Sequence, residues 1–326
     1  MVKQKQFENI NKGYNNVFKS GQLSVGLVVP IENYSQSSVP TMKHHVERVQ
    51  LAEQLGFKAI WVRDVPFHMP SFGDAGQTFD PFTYLGFLAG QTSKITLGTA
   101  SIALPLHHPV NLAKSAATID QLSDGRLIMG VASGDRPTEY PAMNIDFEKR
   151  GELFRDTFNY IRKAQEDFPV LNDNHHGQLN GQMDIIPKPK GVKIPMLITG
   201  SSRQTVEWNA QHGDGWMYYP RPMMQQAYTI AQWRQEIMKY HDFDKPFMQP
   251  LYVILEKDDD FKPQPIQLGF RIGANYLIDY FNQIQEIGVN HVAINLRFNS
   301  RNIETTLKNL ADKVLPHFDT KTQKKK

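Results

Sequence analysis

His107 and His108 stand side by side after the run Leu104-Pro105-Leu106. An imidazole exchanges protons near neutral pH, so at the rim of a pocket it could donate to a bound ligand or to an oxygen intermediate. The plainer role is to cap the helix that follows. Eleven histidines in all, with further adjacent pairs at 44–45 and 175–176, raise the question of a metal. Neighbouring residues rarely ligate one ion together, and no H-E-x-x-H or H-x-x-x-H pattern occurs, so no metal site is expected. The absence of cysteine removes disulfides, thiolate metal sites and a cysteine nucleophile.

Two small-residue runs offer binding chemistry instead. In Thr199-Gly200-Ser201-Ser202-Arg203, Gly200 permits close backbone approach and Ser201 or Ser202 can cap the next helix. The free N–H groups at such an end favour a phosphate. The run from Gly130 to Arg136 has two glycines among small residues, which lets a flat ligand approach or simply makes a tight turn. Ser123-Asp124-Gly125-Arg126 is a polar turn that enters a strand from the opposite side and reads as structural.

These residues need elements to position them, and the hydrophobic pattern supplies eight strand-helix units. Strands are expected at 24–29, 58–62, 95–102, 127–131, 196–199, 215–218, 251–254 and 291–295. Most are apolar on both sides, as in a parallel sheet covered by helices. The intervening helices are expected at 42–55, 81–92, 110–122, 147–165, a stretch ending at His212, 223–240, 274–287 and 303–314. Residues 166–193 are rich in Pro, Gly, Asn and His and read as an irregular insertion. Eight such units predict an α/β fold, a single (β/α)8 TIM barrel, whose chemistry lies on the loops after the strands. No G-x-G-x-x-G follows the first strand and no Walker loop occurs, which argues against a doubly wound dinucleotide fold. The chain divides into an N-terminal extension (1–23), the barrel (24–317) and a basic tail (318–326).

The formal net charge of +3 comes from the ends. Without residues 1–22 and 319–326, 28 basic residues face 31 acidic ones. No basic stripe interleaved with aromatics remains, so nucleic acid is not an expected partner. No apolar run suits a signal or a membrane span, and a cytoplasmic location is expected.

Residues 97–110, from Leu97-Gly98-Thr99-Ala100-Ser101-Ile102 through Leu104-Pro105-Leu106-His107-His108-Pro109-Val110, resemble the third strand and loop of bacterial luciferase. Ala113-Lys114, Ile119 to Leu127, Gly130, Pro195, Gly200-Ser201-Ser202, Asp214-Gly215-Trp216 and Gly288-Val289 are similar too, over roughly residues 24–317. The resemblance to the luciferase-like flavin monooxygenases implies reduced FMN lying across the strand ends. Its ring would rest over Val28, Ala100 and Ser101, with a cis peptide between the last two. Its phosphate would sit near Ser133, Arg150, Gly200, Ser201 and Ser202. Arg63 and Asp64 would orient substrate or the flavin edge, and His107 or His108 would assist catalysis. The resemblance further implies O2 and a small organic substrate, a flavin reductase that supplies the reduced cofactor, and a homodimer. Departures matter: Val65 stands where luciferase carries its catalytic histidine, with His68 three residues on, and Ala132 where it carries a reactive cysteine. Two alternatives therefore stand beside the monooxygenase reading, a deazaflavin-dependent hydride transfer and a flavin-binding protein without turnover.

Overall fold

The computed structural model describes residues 5–72 and 75–318. Eight parallel strands close into a barrel: Ser24–Val28, Ala59–Val62, Thr96–Thr99, Leu127–Ala132, Met196–Thr199, Gly215–Met217, Phe247–Leu255 and His291–Asn295. The register runs around the ring from Leu27 against Ile60 and Ile60 against Leu97 to Leu251 against Ile294, and Ile294 against Leu27 closes it.

Strand parity divides the apolar side chains into two layers, because successive residues point to opposite faces. Val25, Leu27, Ile60, Val62, Leu97, Met129 and Ile198 face outward and pack under the helices. Val28, Ala59, Trp61, Ile128, Leu197, Met217, Met248 and Ala293 fill the barrel interior. Gly98 is required there: a Cβ on it would stand 2.3 Å from the Trp61 ring.

Helix boundaries follow local chemistry. Asp80 accepts from Thr83 N (2.7 Å) and Pro81 opens the helix Pro81–Gln91. Arg126, buried in the polar turn before the fourth strand, caps the other end of that helix. Its guanidinium donates to the carbonyls of Ala89, Thr92, Ile95 and Ser123. The structural reading of this turn matches its contacts.

Three features differ from the sequence expectations, while residues 166–193 form the irregular insertion read from the sequence. The third strand breaks at the Ala100–Ser101 peptide, which is cis as the resemblance implies, and resumes at Ile102–Ala103. The seventh strand starts four residues early, because Gln249 and Pro250 interrupt the apolar run of its N-terminal half and make it look weaker than a buried strand. A hairpin, Gln264–Ile266 with Gly269–Ile272, follows it and extends the sheet. Residues 166–193 carry only a short hairpin, Val170–Leu171 with Leu179–Asn180, which packs outside the barrel against Ala113, Tyr160 and Ala164.

The segment before the first strand forms the helix Lys12–Val17 and plugs the N-terminal end of the barrel. Ile10, Tyr14, Val17 and Phe18 are buried with the interior cluster. Asn11 caps this helix and also donates to Leu127 O (2.8 Å). The lysine-rich tail at 319–326 lies outside the described residues. Among those described, no helix is long and apolar enough to cross a membrane.

Candidate functional site

The loops after the strands enclose one groove across the C-terminal mouth. Its inner part, a cavity of about 140 Å3, is lined by Val28, Met217, Met248, Pro250 and Ala293 below and by Tyr218, Tyr219, Tyr252 and Leu268 around the rim. Its outer part runs from Asp64 and Val65 past Ser133 and Arg136 to Arg150 and the 199–203 loop. Arg63, Ala100, Ser101, Thr199 and Tyr219 belong to both parts, so the two are continuous.

Of the twelve residues singled out in sequence, ten line this groove: Val28, Arg63, Asp64, Ala100, Ser101, Ser133, Arg150, Gly200, Ser201 and Ser202. The cis peptide forms a shelf between the inner and outer parts. Ser101 there hydrogen-bonds Thr199 across the barrel. The far end is basic. Arg150 lies over the Phe147 ring (3.6 Å) and donates to Phe147 O, which fixes its guanidinium beside the 200–203 loop.

That loop is not a helix cap, contrary to the sequence expectation. Thr205 caps the next helix by accepting from Trp208 N (3.1 Å). Gly200, Ser202 and Arg203 instead adopt positive φ values of 58°, 46° and 61°. These positive-φ residues curve the loop around the basic end of the groove, while the N–H groups of Gly200, Arg203 and Gln204 donate to Met217 O, Ser201 Oγ and Ser201 O. Ser202 Oγ is occupied by Thr199 O (2.8 Å), whereas Ser201 is exposed on the groove.

His107 and His108 do not line the groove. Both face a cleft on the outer side of the 104–108 turn, with Met143, Asn144 and His176. His108 is exposed and accepts from Val110 N, so it caps the helix Pro109–Leu122. It cannot reach a ligand at the mouth. His107 touches the groove only through Asp64, whose Oδ2 lies 2.7 Å from its Nε2. His68 is exposed and lines neither part of the groove, while Val65 lines it as an apolar residue.

Several groove residues carried little signal in the sequence. Arg136 lies over the Phe72 ring (4.4 Å) and 3.7 Å from Glu139. Burial lifts the Glu139 pKa, Arg136 opposes this, and the charges of Asp64 and Asp135 add to the rise. Tyr219 is likewise raised by burial and by Asp135. Met248, Pro250 and Tyr252 share one parity of the seventh strand, so inward counting from Met248 would have found them. Leu268 comes from the unanticipated hairpin and had no such signal. Residues 166–193, the irregular insertion, contribute nothing to the groove's lining.

A closed (β/α)8 barrel with a mouth groove that is flat and apolar at one end and basic at the other defines a class of cofactor-dependent barrel proteins. The comparisons with known proteins narrow this. Residues 23–261 match the model of the luciferase-like monooxygenase family, and the chain belongs to that family. It is 29% identical over 181 residues to the alkanal monooxygenase alpha chain of Photorhabdus luminescens, covering 55% of this chain and 48% of that one. The chain thus spans about half the length of this curated relative. Solved structures with the same fold include an F420-dependent secondary alcohol dehydrogenase in complex with an F420–acetone adduct (TM-score 0.74, 17% identity, 91% of this chain and 99% of that one). They also include the oxygenating constituent of 3,6-diketocamphane monooxygenase from Pseudomonas putida in complex with FMN (TM-score 0.71, 12% identity, 90% and 98%).

Proposed function

We propose that this chain is a flavin-dependent monooxygenase that uses reduced FMN and O2 on a small, largely apolar organic substrate. The observation that carries this reading is the polarity of the groove. A planar ring fits the shelf of Ala100 and Ser101 above Val28, Met217 and Ala293, where small side chains leave room. A phosphate fits the opposite end, where Arg150, Arg203, Ser133 and Ser201 converge on a positive-φ loop. Bound there, reduced FMN would supply the electrons for oxygen activation, and a separate reductase would deliver it.

The chain's own residues have distinct parts in this reading. Arg63, whose guanidinium donates to the Tyr34 hydroxyl (3.2 Å), presents a fixed cation beside the shelf. Asp64 presents a fixed carboxylate. Tyr218, Tyr219, Tyr252 and Leu268 wall the inner part. The apolar floor selects against charged substrates by desolvation.

The experiment is a titration of the purified chain with FMN and with riboflavin, followed by flavin fluorescence. FMN is expected to bind at least about tenfold more tightly, a modest return for one charge-assisted phosphate site. Equal affinities would remove the phosphate end from the reading. The FMN contrast does not exclude a second reading, hydride transfer with a deazaflavin, which the F420-dependent structural neighbour favours. Retention of a deazaflavin in place of FMN, with no substrate-coupled O2 uptake, would install that reading instead.

A further inference from the structure

Asp64 is held in a way that a surface carboxylate is not. Its side chain is 2% exposed, yet it lines the groove. Both its hydrogen bonds fall on one oxygen. Oδ2 accepts from the Ala103 backbone N–H (3.1 Å) and faces His107 Nε2 at 2.7 Å. A carboxylate only accepts, so against it the imidazole is the donor, with its proton on Nε2. Oδ1 has no hydrogen-bond partner among the described residues and is not sealed from solvent. A buried carboxylate with one oxygen anchored twice and the other open is aimed, and the opening is the groove.

We infer that Asp64 is the proton-accepting group of the groove and that His107 is its positioning residue. This rests on the flavin reading above for its setting, though the geometry stands without it. Oδ1 takes a proton from an O–H or N–H donor of the bound substrate, leaving the donor atom one unit more negative and Asp64 neutral. His107 pins Oδ2 by its hydrogen bond, which holds the carboxylate plane so that Oδ1 stays turned to the groove. Its ring is 25% exposed to the outer cleft, so it exchanges protons with solvent on the side away from the groove.

The electrostatics around the pair agree. Burial works against a charged His107, but the Asp64 hydrogen bond and charge, with Asp80 behind them, outweigh it and raise its pKa. Across the cleft stand Asp146, Lys149, His108, His175 and His176, and Lys114 lines the adjoining wall. On the groove side stand the acids Glu139, whose charge interacts with that of Asp64, and Asp135, and Arg63 precedes Asp64 in the chain.

The test uses the full chain without cofactor first. The His107 ring resonance is followed by NMR against pH in the wild type and in Asp64→Asn. The expected result is a midpoint above the ordinary ~6.5 in the wild type, falling in Asp64→Asn, where only the charge of Asp80 still opposes burial. Turnover of reduced flavin with substrate is then measured for His107→Ala and His107→Gln. His107→Ala should lose about tenfold or more in kcat, within the usual range for proton-transfer assistance, with flavin affinity unchanged. His107→Gln, which keeps a donor near the Nε2 position, should recover most of the rate but not the wild-type pH profile. An unchanged His107 midpoint in Asp64→Asn would overturn the proposal. So would a His107→Ala variant that binds flavin and keeps both the wild-type rate and pH profile. Failure of the wild type to bind any flavin would sink the functional reading alone, because the titration would still decide the pairing.

Discussion

Two arginines of this chain make opposite predictions. Arg126 is 2% exposed and its guanidinium meets four backbone carbonyls and the Thr92 hydroxyl. Replacing it by Ala leaves those buried acceptors unpaired, at a cost of roughly 1–3 kcal/mol each where no water enters. Arg126→Ala should therefore lower stability by at least ~3 kcal/mol in urea unfolding. Arg203 is exposed on the groove and should be neutral for stability within ~0.5 kcal/mol. Arg203→Ala should instead weaken FMN and leave riboflavin unchanged. The sequence separated these cases only partly. The turn at 123–126 was legible because a polar turn on the N-terminal face has no ligand to serve. Arg63, Asp64, Ser133, Gly200, Ser201 and Ser202 were legible because loops after strands must converge at the mouth, whereas Val28, Ala100, Ser101 and Arg150 came only from the family resemblance. His107 and His108 were misplaced for a physical reason. The turn Leu104-Pro105-Leu106 buries all three of its side chains and throws the two rings outward. Nothing in the spacing reports that direction.

At the scale of elements, the barrel strands were legible from unbroken apolar runs, and the misses lie where another element lent support. The first half of the seventh strand reads as weak because Gln249 sits within it, yet that side chain is buried and bonded to Gln226 and Tyr280. The segment before the first strand reads as polar and was set apart as an extension. Its apolar residues are few, but Ile10, Tyr14, Val17 and Phe18 together close the open end of the barrel. Tyr14 is 1% exposed, and its hydroxyl donates to Asp214 O (2.8 Å). Tyr14→Ala removes an aromatic ring from a packed core and should cost ~3–5 kcal/mol. The mouth lies at the other end of the barrel, so the variant should keep wild-type flavin affinity at temperatures where it remains folded. A parallel loss of affinity and stability in calorimetry and fluorescence would show that the plug also shapes the groove.

The molecule as a whole couples its two ends to pH through different histidines, and the signs differ. At the mouth, the raised pKa of His107 means its pairing with Asp64 contributes stability fully below ~6.5, its ordinary value. That contribution fades as pH rises through the raised folded value. Inside the barrel, His291 is fully buried and burial pushes its pKa down to about 3. Trp61 Nε1 donates to its Nε2 (2.9 Å), so the proton must sit on Nδ1, which donates to Ser24 Oγ (2.6 Å). That hydroxyl then donates to Val17 O (2.7 Å), so a neutral imidazole links the barrel interior to the N-terminal plug. The unfolded chain takes up a proton at this histidine below ~6.5, whereas the fold does not until pH approaches 3. Stability from this site is therefore complete above ~6.5 and is lost progressively as pH falls toward 3, by a few kcal/mol in all. His291→Asn cannot bind that proton. Its stability in urea should be lower than wild type at pH 7, but its slope against pH between 6 and 4 should be visibly flatter. Equal slopes would mean that His291 protonates in the folded chain near its ordinary pKa. The acid sensitivity would then belong to the carboxylates Asp214 and Glu53, whose lowered pKa values give the same sign of pH dependence at lower pH.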